Sequence, residues 1–225
     1  MKHLLAFFGE LRDFEYVISS LNDLDKVDIV ISTWNTARKK DGVIAITEDS
    51  IKKVLPNVKQ VYITDSDIVK VTLRNESVHK TNTKRIIYHW KKIINNLENL
   101  TQYDNIIFHR IDLISNWHTI LKKEIDKDTI HLHTTDYIYA PTKESPTSHW
   151  CNDYYFYGDV TIVNKFINNL KDTSWDIHNE IYDTLITNNI NYKNHVLGGV
   201  LSRDCDLSEI RKTDYLALLK GPNNF

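Results

Sequence analysis

Two arginines, two carboxylates and an indole stand at the ends of short apolar runs in this 225-residue chain, where polar side chains are placed to meet a ligand. Arg12 follows the run HLLAFF (His3–Phe8) and its closing Gly9, and Trp34 ends the β-branched run DIVIST. Arg110 and Asp112 follow NIIFH, while Asn152 and Asp153 precede the aromatic run YYFY. Guanidinium groups are fork donors suited to phosphate oxygens. Carboxylates hold cations or take protons. The set suits an anionic ligand that carries a ring, with or without a metal ion. Each residue also has a structural reading: Gly9 as a tight turn, Arg12 as a solvated helix charge, Trp34 as a core or rim aromatic. Asp112 reads equally as the N-cap of a helix over Leu113–Lys123. Asp153 is hardest to explain structurally, because a carboxylate at the mouth of a buried strand costs free energy unless paired.

The elements that must hold these residues follow from hydrophobic spacing. His3–Phe8 reads as a buried strand, and Leu11, Phe14, Val17, Ile18 and Leu21 recur at helical intervals after it. Asp28–Thr33 is a second buried strand, so residues 1–34 form a βαβ unit with a right-handed crossover. A short helix is expected at Ser50–Val54 and a third strand at Lys59–Thr64. Ile86, Ile87, Trp90, Ile93, Ile94 and Leu97 make Lys84–Leu97 an amphipathic helix packed on a sheet. Strands are expected at Asn105–His109, Thr129–Leu132, Asp136–Tyr139, Tyr154–Tyr157 and Val196–Ser202, with helices at Val160–Leu170 and Trp175–Asn189. Pro141–His149 reads as an exposed loop, and the residues after Leu219 as a frayed tail. The alternation predicts an α/β fold with a mostly parallel, Rossmann-like sheet. In such a sheet the ligand site lies outside the carboxyl ends of the strands, where strand order reverses.

Composition narrows the partners. A formal net charge of −2, with Lys and Arg scattered among acids, argues against a dedicated nucleic-acid binder. Cys151 and Cys205 form no metal-type pair and no disulfide framework, and read as separate buried thiols. The apolar opening stops at Gly9 and turns charged without a small-residue cleavage site, so no signal peptide is expected. No segment approaches the ~18 apolar residues of a membrane span. The expected setting is cytoplasmic, free or peripheral to the inner face of a membrane.

Taken in order, LLAFFGELRDFE, DIVISTW, KRIIYHWKK, YDNIIFHRIDL, NDYYFYGD and HNEIYDTLITNNINY resemble the layout of GT-A-type glycosyltransferases similar to the WavE-type lipopolysaccharide-synthesis proteins. The likeness runs to about Arg203. Its most specific pieces are the opening FxGxxRxFE, the D-x-x-x-x-x-R-x-D-L of Asp104–Leu113, and NDYYFYGD. The resemblance implies a GT-A fold, an α/β domain over residues 1–225 that binds a nucleotide sugar and ends its central strand in an acidic motif. That motif, usually Asp-x-Asp, holds a divalent cation against the donor diphosphate. Here Arg110 and Asp112 match it, so the first acid is replaced.

Two arrangements remain open at that motif. Arg110 could neutralise the diphosphate, or Asp112 could ligate Mg²⁺ or Mn²⁺, with His195 as a further ligand. The resemblance implies donor binding by Phe8, Gly9, Arg12, Trp34, Arg85, Arg110, Asp112 and Arg203, and an acceptor that is a glycan or lipid-linked. An inverting transfer needs a carboxylate base: Asp153 is the first choice and Glu180 the second. Trp150, Tyr154, Tyr155 and Tyr157 could pack on sugar faces. The donor would be UDP-, GDP- or CMP-linked. A nucleotidyltransferase and a non-catalytic nucleotide- or carbohydrate-binding domain are the alternatives.

Overall fold

A computed structural model describes residues 1–39, 42–66, 78–115, 117–122, 124–134, 153–172, 176–196 and 199–201. Strand β1 (His3–Phe8) is buried along its whole length and pairs in parallel with β2 (Asp28–Trp34) on one side. On its other side lies β6 (Asn105–Arg110), also parallel. Between β1 and β2 runs α1 (Phe14–Ser20), which completes the expected βαβ unit. After β2 the chain makes a hairpin of β3 (Thr36–Lys39) and β4 (Gly42–Ala45), then α2 (Glu48–Val54) and β5 (Val58–Thr64). Helix α3 (Val78–Asn96) then carries the chain back over the sheet to β6. At 19 residues it is roughly 28 Å long, enough to cross several strands.

The second half adds β7 (Leu113–Ser115), a 3-10 turn at Trp117–Lys122, β8 (Thr129–Thr134), β9 (Tyr155–Asp159), α4 (Val160–Asn169), α5 (Ile177–Thr187), β10 (Asn191–Val196) and β11 (Gly199–Leu201). Among the described residues the main sheet has seven strands, in the order β10-β8-β9-β6-β1-β2-β5. Only β9 runs against the others, paired antiparallel with both β6 and β8. The protein is thus α/β, with a mostly parallel, Rossmann-like sheet flanked by helices. Among the described residues no helix is long and apolar enough to cross a membrane.

Two cores lie on the two faces of the sheet, as the period-2 alternation of strand side chains requires. Leu4, Ala6, Phe8, Ile106, Phe108 and Phe156 face α3, α4 and α5 and pack on Trp90, Val163 and Phe166. Leu5, Phe7, Ile29, Ile31 and Ile107 face α1 and α2, with Val17, Ile51 and Trp117. Trp90 meets Phe8 and Phe156 edge-on, at 5.4 and 4.8 Å between ring centroids.

Several expectations shift. No α-helix follows Asp112: Leu113–Ser115 is a strand paired with β11, and Trp117–Lys122 is a 3-10 turn, so the N-cap reading of Asp112 falls away. The single last strand expected at Val196–Ser202 is two strands, β10 and β11, in different sheets. The β3–β4 hairpin was not expected. The strand expected at Asp136–Tyr139, the loop at Pro141–His149, the tail after Leu219, Cys151, Cys205 and Trp150 lie outside the described residues.

Candidate active site

The direction of chain travel changes between β1 and β6. From β1 it goes outward through β2 to β5, and α3 then returns it to the far side of β1. A crevice opens at the carboxyl ends of two parallel strands whose connections leave in opposite directions. A cavity of about 330 Å³ lies there. Phe8, Gly9, Arg12, Trp34, Arg85, Arg110, Asp112 and Asp153 all line it. With Tyr154, which also lines it, the structure brings together nine of the sequence-derived candidates. Arg203 lies outside the described residues.

Gly9 turns the chain out of β1 with φ +111°, a conformation that favours glycine, and its N–H donates to the Ser32 carbonyl at 3.1 Å. The turn sends Glu10 and Arg12 across the end of β2. Glu10 is the hub of one wall. Its carboxylate accepts from Arg12 Nη2 at 2.7 Å, from Arg38 Nη2 at 2.9 Å and from the Arg38 backbone N–H at 2.6 Å. Arg38 is delivered by β3, which bends the chain back toward Glu10 after β2.

Arg85 completes this wall from α3. A crossover helix packed on parallel strands runs against them, so its amino-terminal half overlies the strand carboxyl ends; Asn82, Thr83, Arg85 and His89 line the cavity accordingly. The Arg85 guanidinium lies 4.7 Å over the Trp34 ring and has no carboxylate partner among the described residues. Burial lowers its pKa, as does neighbouring Arg38, while Glu10 opposes them. Trp34 is only 3% exposed, covered by Arg85 and stacked with Tyr88 at 5.9 Å, so it presents Arg85 to the cavity rather than a bare indole face. Below it, His89 shares a 2.8 Å hydrogen bond between Nδ1 and the Ser32 hydroxyl, and its Nε2 is buried without a partner among the described residues. Burial, and then the charge of Arg85, push its pKa down to about 3.

The opposite wall is acidic. Arg110, at the end of β6, grips Asp112 through both ends of its fork: Nε to Oδ1 at 2.9 Å and Nη2 to Oδ2 at 3.0 Å. Its Nη1 reaches Asp153 Oδ2 at 3.5 Å, and Tyr154 lies under the guanidinium at 5.0 Å. Burial would lower the Arg110 pKa, but Asp153 and Asp112 outweigh it and raise the pKa. Asp153 and Tyr154 reach this end of the sheet because β9 is reversed, so its entry meets the exits of β1 and β6. His109, one residue before Arg110, donates from Nδ1 to the Arg110 carbonyl and accepts the Ser115 hydroxyl at Nε2, both at 2.7 Å. Burial drives its pKa down to about 4, against the opposing effects of the Arg110 carbonyl and Asp112. Asp176, the N-cap of α5, and His178 close the acidic side.

Charge is thus segregated across the cleft. Arg12, Arg38 and Arg85 against Glu10 leave two positive charges on one wall. Asp112, Asp153 and Asp176 against Arg110 leave two negative charges on the other.

Two candidates stand elsewhere. Glu180 is buried on α5, where its Oε1 accepts the Lys171 N–H at 2.5 Å and the Thr184 hydroxyl at 3.1 Å. It ties the α4–α5 connection and does not line the cavity. His195 sits on β10, 2.8 Å from His131 and stacked with it. β10 is three strands from β6, so at ~4.8 Å per strand about 14 Å separates them. Asp112 and His195 therefore cannot ligate one ion, since such bonds span ~2 Å. Among the described residues no group of three or more His, Cys, Asp or Glu could hold a metal. Asp112, the acid that the resemblance would set in an Asp-x-Asp motif, has both oxygens taken by Arg110. The described residues do not form a site that fits a bound divalent cation.

Arg38, His89, Asp176 and His178 were not anticipated. An Asp-Gly turn signal at Asp41-Gly42 marked the hairpin that delivers Arg38. His89 stands four residues after Arg85 on one helix, a spacing that puts both on one face. No protein-family model matches the chain, and no curated protein matches it with significance.

Proposed function

We propose that this protein is a glycosyltransferase of the GT-A type, moving a sugar from a nucleotide-sugar donor to a glycan or lipid-linked acceptor. The observation that carries the reading is the cleft at the sheet's switch point, with its cationic wall of Arg12, Arg38 and Arg85. Glycosyl transfer asks for this division of charge. The C1–oxygen bond of the donor breaks with its electron pair going to the leaving phosphate oxygen, and fixed cations favour the charge that develops there. The acceptor oxygen forms the new bond to C1, and its hydroxyl proton passes to a carboxylate. Asp153 suits that role better than Asp112. Both Asp112 oxygens are engaged by Arg110, whereas Asp153 Oδ1 has no partner among the described residues.

A thermal-shift panel of UDP-, GDP- and CMP-sugars, followed by chromatography of the released nucleotide with mixed glycan acceptors, tests this. One donor should raise the melting temperature and release its nucleotide faster with acceptor present. If no nucleotide or nucleotide sugar shifts the melting point, the proposal fails. The tight occupancy of Asp112 by Arg110 also favours a second reading, a binding domain without turnover. Stabilisation by a nucleotide sugar without any release would decide for it.

A further inference from the structure

An Asp-x-Asp motif works by placing a divalent cation between carboxylate and diphosphate. In this chain the position between Asp112 and Asp153 is filled by a side chain, the Arg110 guanidinium, which hydrogen-bonds both. A divalent ion there would have to displace a bidentate, largely buried pair and then sit beside the displaced cation. Like charges at that separation in a buried setting repel strongly. Asp112 is therefore committed to Arg110 through both oxygens, and Asp153 through Oδ2 alone.

The counter-charge for an anionic ligand stands on the facing wall instead. Arg12 and Arg38 share the one carboxylate of Glu10, and Arg85, on the same wall, has no carboxylate partner among the described residues. Among the described residues the buried Arg12 Nε and the buried His89 Nε2 have no partners, and both residues line the same cavity. Arg12 Nε–H needs an acceptor, as does His89 Nε2–H in the tautomer whose Nδ1 accepts from Ser32, because a buried donor without a partner is costly. Phosphate oxygens would supply it.

We infer that this cleft binds the diphosphate of its ligand without a divalent cation: Arg85, Arg12 and Arg38 are the counter-charges, and Arg110 is the permanent cation of the Asp112–Asp153 pair. This rests on the donor-site reading above and adds to it that the site is metal-independent by construction.

Isothermal titration calorimetry with UDP, GDP and CDP, each in EDTA and again in millimolar Mn²⁺, tests it in the intact protein. The nucleotide that binds should do so in EDTA with a Kd within about threefold of its value in Mn²⁺, and Arg85→Met should weaken it at least tenfold. Mn²⁺ alone should leave the wild-type melting temperature unchanged. In Arg110→Ala, where two carboxylates lose their cation, Mn²⁺ should raise the melting temperature saturably. Binding that needs Mn²⁺, or a saturable Mn²⁺ shift in the wild type, overturns the inference while leaving the donor-site reading intact. Absence of binding by all three nucleotides in both conditions overturns both. If Arg110→Ala does not fold, the wild-type comparison in EDTA still decides.

Discussion

His89 and His109 are buried, one against the Ser32 hydroxyl at the floor of the cleft and the other between the Arg110 carbonyl and Ser115. Acid sets their protonation against the fold. Burial, with Arg85 adding to it, lowers His89 to about 3, and burial lowers His109 to about 4. In the unfolded chain each titrates near 6.5. Between these values the unfolded state binds the extra protons, so stability rises with pH. The contribution is fully present above 6.5 and is lost as pH falls toward 4 and 3. Each histidine gives a slope approaching ~1.4 kcal/mol per pH unit, and integrating from pH 7.5 to 5 removes about 2 kcal/mol per residue, or about 4 kcal/mol for the pair. His3, lowered chiefly by burial, adds in the same direction. Asp28 stays ionised in this window: burial pushes it up, but Tyr103 and Lys2 hold it low on balance. Urea unfolding at pH 7.5, 6.5, 5.8 and 5.0, followed by circular dichroism, should show the midpoint falling steadily with an unchanged m-value. His89→Gln, which can keep a bond to Ser32, should remove about half of the pH dependence. Stability that is level or rising from pH 7.5 to 5 would refute the account of both histidines as buried and neutral.

Glu180→Ala should cost roughly 1–3 kcal/mol in urea denaturation, because the Lys171 N–H and the Thr184 hydroxyl lose their acceptor, while nucleotide binding by calorimetry stays within twofold. A loss of binding at unchanged stability would return Glu180 to the site. Gly9→Ala should destabilise by roughly 1–2 kcal/mol through its positive φ alone, since the nearest atom to an added Cβ, on Ile111, is 3.9 Å away. An unchanged urea midpoint would show that the turn after β1 tolerates a side chain.

What could be read from the sequence follows the burial of each element. β1, β2 and β6 are buried on both faces and read as continuous apolar runs. α3 shows its apolar stripe because only one side packs on the sheet. The β3–β4 hairpin has almost nothing buried except Ala37, so no hydrophobic pattern marks it. β10, NYKNHV, is an edge strand, and its polar residues hid it. Leu113 and Ile114 fit either the first turn of a helix or a short strand, and pairing with β11 decided it. In the site, residues at strand exits were found because a parallel sheet gathers them at one edge. Arg38, His89 and Asp176 arrive by a hairpin, a helix face and a helix start, and strand patterns say nothing of those routes. Asp153 was singled out as a carboxylate at a strand mouth, but its approach to Arg110 depends on the reversed direction of β9, which is a tertiary fact.

The interior position of β1, between β2 and β6, has a kinetic consequence. Leu4 pairs with Asp28, but His3 pairs with Asn105, about four times as far along the chain. Closing the longer loop costs roughly 1.2 kcal/mol more in chain entropy, and distant pairings slow folding. The β1-β2-β5 half, with α1 and α2, should therefore organise first and β6 dock onto it afterwards. The two walls of the cleft stand on opposite sides of that late seam, so a ligand meets a complete receptor only after the rate-limiting event. Bound ligand should then retard unfolding and leave the refolding rate unchanged.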